Sequence, residues 1–287
     1  MEFAKSLPAI RRTLAQHMAR KGLSRENVLA TIVHLLETTL IRVGNDSYAK
    51  ENKSYGLTTL RNNHVEVNGA QLKFHFKGKS GKPWRLQVKD RRIAKIVRAC
   101  QDLPGQELFQ YFDEDGVPHD VTSSDVNAYL KEISHRDITA KDFRTWHGTV
   151  LAAVALQEVQ AFDSKAAFKK NVKSAIERVA ARLGNTATIC RKCYVHPEIL
   201  QAYAEGDLLL QVKATIEDEL RNDLPTLSPE EAAVLALLES RLSRTLKDKL
   251  QDSVALLRKS KRNGKGPTRC HNAPSEPASA AAHQLLH

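Results

Sequence analysis

Between residues 64 and 88 the chain changes its hydrophobic period, and this change limits the fold more sharply than any other feature. Leu72, Phe74 and Phe76 alternate with Lys73, His75 and Lys77, which puts apolar side chains on one face of a strand and basic ones on the other. Val65 and Val67 lead into Asn68-Gly69, a pair that predicts a two-residue hairpin turn. After Lys77-Gly-Lys-Ser-Gly-Lys-Pro83 the alternation resumes through Trp84, Leu86 and Val88. The stretch predicts a small three-stranded antiparallel sheet whose second turn carries Lys79.

Elsewhere apolar residues recur at helical spacing, so the expected class is mainly α with this one sheet, an α+β fold. Residues 24–41 read as a helix capped by Ser24, with Val28, Ile32, Leu35, Leu36 and Leu40 on its face. That helix delivers Arg42 at its end, before Gly44 and Asn45 break the pattern. From residue 89 onward the chain reads as helical. Thr139 and Asp142 have capping-box spacing ahead of Phe143, Trp146, Val150 and Val154. Residues 165–183 form an amphipathic helix that Gly184 is placed to end. Ser228-Pro-Glu-Glu231 starts a long helix whose leucine face, Leu235 to Leu257, is expected to dock on the body of the protein. A folded body over residues 1–260 is expected, with a disordered basic tail over 261–287.

The net charge of +11 fits a polyanion partner. Six basic residues from Arg258 onward, against Glu276 alone, carry part of it. No stretch approaches the ~18 unbroken apolar residues of a membrane span. The first residues lack an apolar signal core, and four cysteines make no disulfide framework in a chain of 287 residues, so a reduced cytoplasm is expected.

Tyr194, nine residues beyond a Leu-Gly-Asn corner, gains meaning from three separated basic positions upstream that can surround a phosphate, Arg42, Lys79 and Arg144. A phosphodiester cleaved without metal needs a nucleophile, fixed cationic donors around phosphorus and an acid for the departing oxygen. Tyrosine suits the first task where the bond must be re-formed. Arginine suits the second, because its planar fork holds phosphate oxygens and stays charged. A lysine on a hairpin turn suits the third, and Lys77 and Lys82 compete with Lys79 for that part.

Leu40-Ile-Arg42-Val-Gly44-Asn, Tyr55-Gly-Leu-Thr-Thr-Leu-Arg61-Asn-Asn-His64-Val, Phe76-Lys-Gly-Lys79-Ser-Gly, Ile138-Thr-Ala-Lys-Asp-Phe-Arg144-Thr-Trp and Leu183-Gly-Asn185 to Tyr194 occur in one order. In that order the chain, over residues 5 to 260, resembles the small bacterial and viral type IB DNA topoisomerases. The resemblance implies a catalytic domain of the topoisomerase IB and tyrosine recombinase kind. It implies that Tyr194 is the nucleophile that bonds to a 3′ phosphate, that Arg42 and Arg144 stabilise the pentacoordinate phosphorus, and that Lys79 is the general acid. Asn185 stands where viral members carry histidine, and donates a hydrogen bond without being cationic. Gly44, Tyr48 and Lys141 match positions that touch DNA.

The implied activity is ATP- and metal-independent relaxation of supercoiled DNA by a monomer on double-stranded DNA, with no cofactor, in the cytoplasm at the nucleoid. A tyrosine recombinase and an inactive DNA-binding remnant are the alternatives. Family members usually carry an N-terminal cap domain, whereas this sequence begins almost directly at the helical catalytic domain; either the sequence is a truncated piece, or the cap is missing or supplied elsewhere. Cys190-Arg-Lys-Cys193 lacks two further zinc ligands outside Cys270-His271 in the tail, so both cysteines are expected to be packing residues beside Tyr194, with no metal site. His147 and His196 are expected to be structural or to touch the DNA backbone.

Overall fold

A computed structural model describes residues 1–159, 162–208 and 227–262, and the side chains of the last segment as far as 244 and at 251. Helices α1 (Glu2–Met18) and α2 (Arg25–Thr39) pack together first. Ser24 caps α2 as predicted, its side chain accepting from the Asn27 N–H. The burial of α2 exceeds a single stripe, because Val28, Leu29, Ala30, Ile32, Val33, Leu35 and Leu36 are all inaccessible. It is the central helix, touched by α1, by α5 (Ser123–Ser134) and by α6 (Ala140–Gln157).

The helix stops earlier than the sequence suggested. Leu40 adopts a left-handed conformation, φ 61°, and its N–H bonds back to the Leu36 carbonyl. Arg42 therefore lies beyond the helix, in the extended segment 40–45 that leads to α3 (Asp46–Asn52).

Strands β1 (Val65–Asn68), β2 (Gln71–Lys77) and β3 (Pro83–Lys89) form the expected antiparallel sheet in the order β1-β2-β3. Leu72, Phe74 and Phe76 are buried on one face, and β1 and β2 touch α4 (Arg91–Gln101). The first turn is displaced by one residue. Asn68 pairs with Gln71, so the loop is Gly69-Ala70, with Gly69 at φ 59°. This register sets Val67 opposite Leu72 and Val65 opposite Phe74, where a loop at 68–69 would have opposed Val67 to Ala70.

The region after residue 89 is not purely helical. A two-stranded ribbon, β4 (Gln110–Phe112) with β5 (Pro118–Asp120), turns at Asp113–Gly116, where Asp113 accepts from the Asp115 and Val117 N–H groups. Asp115-Gly116 is a turn signal, but three-residue strands are too short to show a period.

Helices α6 and α7 (Lys165–Leu183) follow the sequence closely. Thr139 and Asp142 form the reciprocal capping box that opens α6. Helix α7 ends at Gly184, left-handed at φ 60°, and turns into α8 (Ala187–Cys193) and α9 (Pro197–Ala204). Phe143 of α6 meets Phe3 of α1 edge to face, with ring centroids 4.8 Å apart.

Residues Met1–Arg241 make one compact unit, and a second begins at Leu242. The final helix, α10 (Pro229–Arg262), has Val234 and Leu238 buried, whereas Leu242 is 46% exposed. Among the described side chains, the expected docking of the leucine face is seen at Leu238. Leu246, Leu250, Val254 and Leu257 lie outside the described side chains, and the tail expected to be disordered lies outside the described residues from 263 onward.

Candidate active site

The segment bearing Arg42 is strapped on its open side by residues 55–60. The Leu57 N–H bonds to the Arg42 carbonyl at 2.9 Å and the Thr58 N–H to the Val43 carbonyl at 2.7 Å. Two glycines permit this approach. A Cβ on Gly56 would lie 2.6 Å from the Arg42 carbonyl oxygen, and one on Gly44 would lie 2.7 Å from Thr58 Oγ1. The Tyr55 N–H continues the chain of contacts to the Lys77 carbonyl, at 2.7 Å. Arg42 and the β2–β3 turn are therefore joined through backbone.

Arg144 rises from the second turn of α6 and is only 3% exposed. Its guanidinium donates to the Leu40 carbonyl at the end of α2 and, at 2.7 Å, to the Leu183 carbonyl at the end of α7. Those carbonyls have no helical partner of their own, so one cation closes two helix ends. Burial, and then the charge of Arg42, push the Arg144 pKa down to about 10. Its Nε is buried without a partner.

Tyr194 caps α8 at its C-terminus and is 8% exposed. Its hydroxyl accepts from Arg42 at 3.3 Å, and the Arg144 guanidinium lies 5.3 Å from its ring centroid. Burial alone would raise the phenol pKa. The Arg42 hydrogen bond and the charges of Arg42 and Arg144 outweigh it, leaving the group below the usual tyrosine value. Asn185, just past Gly184, accepts from Arg42 through its side-chain oxygen. Its Nδ2 is buried and unpartnered, a donor left over for an oxygen that enters the site.

Tyr194, Arg42, Arg144 and Asn185 thus converge directly. Lys79, exposed on the turn between β2 and β3, shares a cavity of about 310 Å³ with Arg42, Gly44 and Tyr48. Lys141 is exposed on the first turn of α6, and its ammonium has no ion pair among the described residues. A wider cavity, about 1080 Å³ and lined by Arg11, His34, Arg92 and Arg182 among others, does not include Tyr194.

The sequence reading passed over two supporting residues. A Cβ on Gly148 of α6 would lie 2.6 Å from the Tyr194 carbonyl oxygen, so this glycine lets the backbone of Tyr194 lie against the helix. Thr149 Oγ1 reaches the same carbonyl at 3.4 Å and accepts from the His196 N–H at 3.1 Å. A glycine inside a strong helical pattern was the available signal.

The cysteines differ from each other. Cys190 is buried beside the cluster, and its thiol pKa is raised by that burial, whereas Cys193 is exposed and does not pack. Cys270 and His271 lie outside the described residues. His196 caps α9 by accepting from the Glu198 N–H at 3.2 Å. His147 lines the wider cavity, with its Nε2 buried without a partner and its pKa lowered by burial.

A family model described as the catalytic core of eukaryotic DNA topoisomerase I matches residues 1–221. The chain belongs to the type IB DNA topoisomerase family. It is 29% identical over 209 residues to DNA topoisomerase 1B of Acanthamoeba polyphaga mimivirus, covering 70% of this chain and 62% of that one. It is 26% identical over 203 residues to DNA topoisomerase 1B of vaccinia virus strain Copenhagen, with the same coverage. A match to DNA topoisomerase 1 of Daucus carota is 28% identical over 131 residues, covering 44% of this chain and 15% of that protein. The chain therefore spans somewhat less than two thirds of the viral topoisomerases it matches.

Proposed function

We propose that this chain relaxes supercoiled DNA by cutting one strand of a duplex through Tyr194, allowing rotation, and resealing the cut without ATP or a metal ion. The observation that carries the proposal is the Tyr194 hydroxyl held 3.3 Å from Arg42, with Arg144 across its ring. The Tyr194 oxygen attacks phosphorus as the bond to the 5′ oxygen breaks, and its own proton is lost to solvent. Lys79 gives a proton to the departing 5′ oxygen. Arg42, Arg144 and the free Nδ2 of Asn185 take the charge that builds on the nonbridging oxygens. Religation reverses each step, and the phosphotyrosine conserves the bond energy meanwhile.

The excess of basic charge supports a duplex DNA partner, contacted by Lys141, Tyr48 and the backbone at Gly44, and a location at the nucleoid in the cytoplasm. We assign the chain as a monomer, which light scattering tests. Supercoiled plasmid incubated in EDTA without ATP tests the activity. A ladder of relaxed forms, lost in Tyr194→Phe, is expected. Site-specific strand-exchange products would instead make the chain a recombinase. A mobility shift without cleavage would make it a binding module.

A further inference from the structure

We propose that Lys82 is a positioning residue, whose ammonium latches the β2–β3 turn onto the corner between α7 and α8 and so holds Lys79 at the reacting phosphate. The proposal rests on the reading of Lys79 as general acid given above. Lys82 Nζ donates to the Asn185 carbonyl at 2.9 Å, a contact between residues 103 apart in sequence. The Lys82 carbonyl in turn accepts from the Gly78 N–H at 2.8 Å and closes the turn that carries Lys79. One residue thus shapes the turn and ties it to the site.

The acceptor's position gives this contact its meaning. Asn185 is the residue whose side chain accepts from Arg42, and Arg42 donates to the Tyr194 hydroxyl. The latch therefore connects the turn of the acid to the residues that hold the nucleophile.

The turn needs such an anchor. Its tip runs through Ser80 at φ 61° and Gly81 at φ 70°, and the left-handed conformation is unfavourable for serine. The base of the turn is fixed separately by Trp84. A Cβ on Gly78 would lie 2.6 Å from the indole, and one on Gly184 would lie 2.8 Å from it. Trp84 thus fills the space between turn and corner, and Lys82, where the turn closes against Gly78, supplies the polar contact to that corner. Lys77 is no rival for the latch, since its tie to the body is its backbone carbonyl, taken by Tyr55.

The test compares two suicide oligonucleotides that differ in one atom. One carries the ordinary bridging 5′ oxygen and the other carries sulfur there. A thiolate leaves without needing a proton, so the sulfur substrate bypasses the general acid. Lys82→Ala is expected to form the covalent adduct at least tenfold more slowly than the parent on the oxygen substrate. On the sulfur substrate it is expected to approach the parent rate, as is Lys79→Ala. Lys82→Arg, which keeps a cationic donor of similar reach, is expected to recover most of the lost rate.

A parent-like rate for Lys82→Ala on the oxygen substrate would overturn the inference. So would an equal loss on both substrates, which would place the effect on Asn185 or Tyr194 rather than on Lys79. Either result from an active parent leaves the proposed function standing. A parent that forms no adduct with either oligonucleotide overturns both.

Discussion

The Tyr194 hydroxyl lies 3.3 Å from a guanidinium nitrogen of Arg42, although 152 residues separate the two in the chain. Arg42 arrives on an extended segment after α2, and Tyr194 at the end of α8. Arg144 of α6 lies across the tyrosine ring and bonds to the carbonyl ends of both α2 and α7. The cation that faces the Tyr194 ring is also a bracket for the ends of α2 and α7.

Arg42→Ala removes the hydrogen bond and the nearer charge that hold the phenol below its usual pKa, while burial continues to push it up. The phenolate is the attacking form, so the rate of adduct formation rises with pH through this pKa. The inflection of the rate profile should move to higher pH in the variant. The rate at neutral pH should fall about 10²- to 10³-fold, as for the loss of a donor to an oxyanion. An unchanged inflection would show that Arg42 does not set the state of the hydroxyl.

Asn185→Ala deletes both the acceptor for Arg42 and the unpartnered Nδ2. Loss of one transition-state donor costs on the order of 3 kcal/mol, so adduct formation should slow roughly 100-fold. The melting temperature should stay close to that of the parent, because the Asn185 backbone bond to Ala180 remains. A residue serving only as a turn would leave the rate intact.

Gly148→Ala sets two effects against each other. Alanine favours the helix by roughly 1 kcal/mol. Its Cβ would, however, meet the Tyr194 carbonyl oxygen at 2.6 Å, where backbone faces backbone. Overpacking of that kind costs about 1–3 kcal/mol, so the variant should melt a few degrees lower. Adduct formation should slow too, because relief of the clash displaces Tyr194. A thermal melt and a single-turnover assay on the same preparation check both effects.

Glu231 supports α6 from the far side. It accepts from Arg11 at 2.9 and 3.0 Å, from Trp146 Nε1 at 3.1 Å and from the Ser228 N–H at 2.9 Å. Burial would raise its pKa, but the Arg11 hydrogen bond and charge lower it below the ordinary 4.5. A depressed carboxylate stabilises the fold fully above its unfolded pKa, and that stability is lost as pH falls through the folded value. Glu231→Gln should cost about 3 kcal/mol at neutral pH, at the low end for a broken buried pair because Arg11 keeps Glu37. Its melting temperature should also fall less steeply than the parent's below pH 4.5. Parallel curves would show that another carboxylate governs acid unfolding.

Much of the fold was legible because it is written in local periods. The three strands, the capping box of α6 and the end of α7 at Gly184 each depend on residues only a few positions apart. The β4–β5 ribbon was missed because three-residue strands carry no period. The end of α2 was misplaced because Leu40 takes a left-handed conformation that its side chain does not favour. The site residues were recognisable as a set of types in order, yet Gly148 and Thr149 were not, because they act on the backbone of a residue far along the chain.

By itself the sequence determined the three-stranded sheet and helices α2, α6 and α7, apart from the exact end of α2 and the first turn of the sheet, since turn signals, caps and hydrophobic spacing act over a few residues. The tertiary structure alone decided that Arg42 rather than Lys79 touches the Tyr194 hydroxyl, that Lys82 reaches the Asn185 carbonyl, and that Arg144 spends two donors on helix ends. These contacts span dozens to more than a hundred residues. They depend on how α2, α6 and α7 pack around one buried cation, which no local pattern encodes.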